Sequence, residues 1–301
     1  MIFVVAICLL GFVDIVSADT FGTGANQFTI DFVDISGDAN PTSGYGNVNH
    51  DYRMGTYEIT NGQWNKFQAS YGTVTGSPLS AYDESAYFTG TKVLTNKLSW
   101  YEGAQFVNYL NTSTGHQAAY KFTGTQGTAA YTFSVWGPGD SGYNSDNPFR
   151  NNNSKYFIPT ENEWVKAAYW NGTNLQTYAT TDGSVPVAGV DTNYGWAAVG
   201  QPWNVGRGSE ELNGTFDMMG NVFEWMESSY SSGDYLYGSF RGIRGGAYDD
   251  YADILGSSNR YSVDPSHVIN FLGFRVASVV PEPCSLLLLG LGGLVLRRIK
   301  S

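Results

Sequence analysis

The sequence predicts an α+β domain, loop-rich and poor in regular secondary structure. Three observations point there. Three helix starts carry the same capping signature, each followed by a run with one apolar face. The strand signals are few and short. The composition, with 37 glycines, 15% aromatic and only 14% charged residues, suits a fold in which rings supply packing area and glycines supply turns. With 42% hydrophobic residues in 301, the chain can bury a large core and is not a disordered one.

The N-terminal run Ile2–Val13 is apolar, and Val16-Ser17-Ala18 follows with small residues at signal-peptidase spacing. Cleavage after Ala18 is expected, although no basic residue precedes the run. Gln27–Phe32 alternates apolar and polar side chains, as a half-buried strand does. Residues 36–49, rich in Gly, Asn, Ser and Pro, read as loop.

The helix starts come next. Thr60-Asn61-Gly62-Gln63 precedes Trp64 and Phe67. Ser99-Trp100-Tyr101-Glu102 precedes Phe106, Val107 and Leu110. Thr160-Glu161-Asn162-Glu163 precedes Trp164, Ala167 and Ala168. In each, a Ser or Thr oxygen can take an orphan N–H while the Glu or Gln three residues on reaches back to the cap. Tyr156–Ile158 and Gly273–Ala277 read as buried strands, and residues 123–153 and 171–215 as ordered loops.

At the C-terminus, Val280-Pro281-Glu282-Pro283 leads through Cys284-Ser285 into the apolar run Leu286–Leu296 and then Arg297-Arg298-Ile299-Lys300. As a helix that run covers roughly 18–20 Å, less than a hydrocarbon core of about 30 Å. It resembles a PEP-CTERM sorting signal. The resemblance implies recognition by exosortase-type machinery, removal of the tail during export, and only transient membrane contact. The expected organisation is a signal peptide at 1–18, one domain at 19–279 and a sorting tail at 280–301. The expected location is the surface or extracellular matrix of a Gram-negative-type bacterium.

The formal net charge of −11 argues against nucleic acid as a partner. The two cysteines, Cys8 and Cys284, both lie in the removable ends, so the domain itself has no thiol.

Six segments in order resemble the formylglycine-generating enzyme (sulfatase-modifying factor) family. They are Tyr57–Trp64, Leu98–Ala104, Ile158–Trp164, Gly214–Trp225 (which matches G-L-Y-D-M-x-G-N-V-W-E-W), Arg244–Tyr248, and Arg260 with Gly273-Phe274-Arg275. The resemblance spans about residues 28–277 and implies a variant of the C-type lectin-like fold. It also implies an oxidoreductase chemistry that these residues do not support. The family's copper cysteines lie between R-G-G-S and G-F-R, and here Ala247–Leu272 contains no cysteine. The early part of that interval holds Asp249, Asp250 and Asp253, whose carboxylates cannot replace thiolates for Cu(I). Relatives that use iron bind it through histidines. His50, His116 and His267 show no paired spacing, so iron is not expected either.

A structural calcium is the better-matched metal. Carried over from the family, its ligands would be Asp217, Gly220, Val222 and Glu224, a hard-oxygen set. The competing reading pairs Glu224 with an arginine such as Arg244. Arg244, Arg260 and Arg275 read either as structural or as facing a cleft. Phe223, Trp225 and Arg260 are the candidate cleft residues. The function expected is a non-catalytic binding or structural module with a polysaccharide or surface-protein ligand. The alternative is a family oxidoreductase with a divergent active site.

Overall fold

The computed structural model describes residues 17–82, 86–197 and 200–281. The apolar N-terminal run and nearly all of the C-terminal tail lie outside them.

Strand β1 (Ser17–Phe21) pairs antiparallel with β2 (Phe28–Ile35), and β2 with β3 (Tyr52–Gly55). The sheet is completed by β11 (Ala277–Val279) and β6 (Tyr156–Phe157), in the order β1-β2-β3-β11-β6. The first and last strands of the domain thus share one sheet. Cleavage after Ala18 would remove the first two residues of β1 and leave Asp19 in place. Buried Arg53 on β3 ties both ends down: Nη2 donates to Asp19 Oδ2 (2.5 Å), Nη1 to Ser17 Oγ (3.0 Å), and Nε to Ser278 Oγ (2.9 Å).

A second sheet runs in the order β10 (Leu272–Gly273), β7 (Phe223–Ser229), β8 (Arg241–Arg244), β9 (Tyr261–Val263). A hairpin of β4 (Lys121–Thr123) and β5 (Thr132–Ser134) stands apart. It corrects the reading of 123–153 as loop throughout. The expected strand Gly273–Ala277 is also corrected: Leu272–Gly273 belongs to one sheet and Ala277–Val279 to the other. The intervening Phe274, Arg275 and Val276 cross between them, all buried.

The helices are α1 (Asn61–Tyr71), α2 (Trp100–Ser113) and α3 (Glu161–Tyr169). Each begins at the expected Ser or Thr, and each cap is a complete capping box. Helices α1 and α2 bring Trp64, Phe67 and Phe106 together, with Trp64 stacked on Phe106 at 5.7 Å. Trp100 and Trp225 are fully buried, and their indole N–H groups donate to the carbonyls of Met226 and Leu98. Buried indoles that keep a hydrogen-bond partner fasten α2 to β7.

Candidate binding cleft

The first turn of α3 supplies two carboxylates, and each is met by arginine. Glu163, the capping residue, takes both terminal nitrogens of Arg150, Nη1 at 2.9 Å and Nη2 at 2.8 Å. Arg150 also reaches both oxygens of buried Glu227 and lies 3.5 Å over the ring of Phe157. Burial works against the Glu163 charge. The Arg150 guanidinium outweighs it and holds the carboxyl well below the usual carboxylate range.

Glu161 points the other way. The β8–β9 register, with Ile243 opposite Tyr261, puts Arg244 and Arg260 side by side just past the ladder's end. Glu161 accepts from Arg244 Nε (2.8 Å) and from Arg260 Nε and Nη2 (2.8 Å each). Arg244 is sealed, and its Nη1 donates to the carbonyls of Ser257 and Asn259. Arg260 stays 19% exposed and lines a cleft of about 250 Å³. Its guanidinium lies 4.0 Å over the ring of Tyr230 and 5.0 Å over that of Tyr45. Burial lowers its pKa and Glu161 more than restores it, so the group stays cationic. Tyr235, Asp146, Asn147 and Asn162 complete the walls. Tyr235 donates to the Asp146 carbonyl at 2.6 Å, and the Asn147 amide donates to Glu227, so both walls are braced from behind.

Of the expected cleft residues, only Arg260 lines this cleft. Trp225 is corrected to a core residue, 0% exposed with its indole turned to Leu98. Phe223 is also buried, packed edge-on against Tyr261 at 5.6 Å. Phe223 and Trp225, two residues apart, share one face of β7, and the strand is buried on both faces along nearly its whole length.

The expected calcium ligands occupy a tight turn. Asp217 has φ 58° and Gly220 φ 71°, and a Cβ on Gly220 would sit 2.3 Å from the Asn193 carbonyl oxygen. Asp217 accepts the Trp203 indole N–H (2.8 Å) and the Gly206 N–H (2.7 Å). Val222 is buried. Glu224 is the partner of Arg275, not of Arg244. Arg275 Nε donates to both its oxygens and Nη2 to Oε1, while the Trp164 indole donates to Oε2 (2.7 Å). Four donor contacts fill the roughly four acceptor positions of a carboxylate. A calcium ion needs six to eight oxygens, and here it would also face the Arg275 guanidinium. Glu58 and Glu211 lie close by, and burial pushes Glu58 well above the usual range and Glu211 up to about 8. Arranged this way, the four expected residues do not fit calcium.

In the interval where family thiols are expected, Asp250 Oδ2 accepts the Ala247 N–H at 2.8 Å and closes a turn. Among the described residues, no three His, Cys, Asp or Glu side chains gather as a metal site. Sequence reasoning missed Arg150, Tyr45, Tyr230 and Tyr235. The paired acids of Thr160-Glu161-Asn162-Glu163 are the one signal in the sequence, and the capping pattern reads them only as a helix start.

A family model described as the sulfatase-modifying factor enzyme 1-like domain matches residues 20–280. No curated protein matches the sequence. Among solved structures, Treponema denticola variable protein 1 is 21% identical with a TM-score of 0.62, over 87% of this chain and 99% of that one. CarF is 21% identical at 0.57, over 84% and 99%. PvdO from Pseudomonas aeruginosa is 15% identical at 0.54, over 88% and 92%. At these identities the likeness speaks for the fold, an α+β variant of the C-type lectin-like architecture.

Proposed function

The chain belongs to the sulfatase-modifying factor enzyme 1-like family, and within that family we propose that it is an exported, non-catalytic binding module of the cell surface or matrix. The observation that carries this is the cleft at the start of α3. It presents tyrosine rings, amides and one braced guanidinium, the mixture that suits a hydroxyl-rich ligand such as a polysaccharide. Two sequence facts support it. Residues 19–279 contain no cysteine, so a thiolate-held copper has no ligands there, and the three histidines are scattered. The apolar ends read as export and sorting signals.

The test uses protein purified from producing cells. Retention on surface or matrix polysaccharide, with no oxygen uptake when copper or iron and a thiol substrate are supplied, is expected. Metal-dependent oxygen consumption would overturn the proposal in favour of a divergent oxidoreductase. For export, mass spectrometry of the same material should find Asp19 at the N-terminus and no peptide beyond about Pro283. An intact tail in surface-exposed protein would refute the sorting assignment.

A further inference from the structure

We propose that the cleft beside α3 takes a carboxylate-bearing sugar, a uronic acid residue of an acidic polysaccharide, with Arg260 as its anchor. This deepens the binding-module reading and rests on it.

The first support is the way Arg260 is held. Two of its nitrogens are fixed on Glu161, Nη2 also donates to the Tyr230 carbonyl (2.9 Å), and two tyrosine rings lie against its plane. Nη1 makes no hydrogen bond among the described residues. A planar donor already fixed in orientation loses little freedom when it binds a carboxylate.

Charge is the second support. Glu161 is shared between Arg244 and Arg260, so two guanidinium groups face one carboxylate at the cleft floor. With Asp146 on the wall the charges of the cleft balance, so in a chain of formal net charge −11 this spot does not repel an anionic group and leaves Arg260 able to meet one.

The third support is what else lines the space. Asp146 and Asn147 line the same cleft. A small inorganic anion would meet the Asp146 charge with nothing to offer it. A uronate brings hydroxyl donors for Asp146 while its carboxylate meets Arg260. At about 250 Å³ the cleft lies below the roughly 300–1,000 Å³ of sites for drug-sized ligands, which suits one sugar ring with parts of its neighbours.

Titration calorimetry of the protein purified from producing cells, with polygalacturonate, its methyl ester and neutral dextran, tests this. The methyl ester keeps the ring and most hydroxyls but removes the charge. The acid polymer is expected to bind at least about tenfold tighter than the ester, a difference that R260M abolishes. D146N, at an exposed residue, is expected to fold normally and to weaken binding of the acid polymer and of its ester alike severalfold by removing the charged acceptor of the sugar hydroxyls. Equal binding of all three polymers would leave the binding module standing and overturn the uronate assignment. Acid-selective binding unchanged in both variants would place the site elsewhere and overturn it too. If R260M fails to fold, unchanged affinity in D146N alone overturns it. Binding of no polymer would remove the polysaccharide reading along with the inference.

Discussion

Two of the carboxylates that arginine holds in this molecule, Glu224 and Glu161, differ in what else can reach them. Glu224 and Arg275 are both 0% exposed, and every acceptor position of the carboxylate is filled. Glu161 is just as buried, but it holds two arginines, and one of them remains at the surface. The family motifs name all three arginines alike. The structure separates them: Arg275 and Arg244 hold chain segments together, while Arg260 does that and also faces a cleft. A buried ion pair says little about function until the second partner of each group is known.

The sealed contact should be the costlier to break. Arg275→Met leaves Glu224 buried without its counter-charge and strands the carbonyls of Gly55 and Phe216. A loss of about 3–5 kcal/mol in urea unfolding is expected, a large share of the roughly 5–15 kcal/mol typical of a domain. A loss below about 1 kcal/mol would erase the contrast between the two regions.

Glu163→Gln comes next. Gln preserves the capping box but not the charge, and Arg150 keeps Glu227, so about 2–4 kcal/mol is expected at pH 7. Its pH dependence is a sharper test. The folded carboxyl lies below its ordinary value of 4.5, so its contribution is complete above pH 4.5 and fades as pH falls towards the folded value. Unfolding of the two proteins should therefore differ less at pH 3 than at pH 7. A constant difference would mean that Arg150 does not set the Glu163 charge.

Arg260→Met should cost least of the three, about 1–2 kcal/mol, because Glu161 retains Arg244 and the site is partly wet. A larger loss would move Arg260 into the structural class with Arg275. Last, melting in calcium and in chelator should agree within about 1 °C. A rise of several degrees with calcium would show that Glu224 exchanges Arg275 for a cation.

The sequence made the helices legible because a capping box is local: four consecutive residues contain both its donors and its acceptors. All three starts, at Thr60, Ser99 and Thr160, stand where the pattern places them. The strand read at 27–32, which covers the first part of β2, was legible for the same reason, since alternation is a neighbour-to-neighbour property. The cleft was not. Tyr45, Glu161, Tyr230 and Arg260 come from four distant segments, and no local pattern announces that they meet. The switch of sheets between Gly273 and Ala277 was hidden too. A run buried throughout looks the same whether it stays in one sheet or crosses between two.

The clasp made by Arg53 reaches beyond the binding question. Strands β1 and β11 stand three places apart in one sheet, roughly 14 Å at the usual strand spacing, and one side chain touches both. Chain entry and chain exit are therefore neighbours. A unit built this way is a cassette: it can be spliced into a surface loop of another protein through two short linkers. Equally, it can be re-cut elsewhere once Val279 is joined to Asp19, with the sheet order intact.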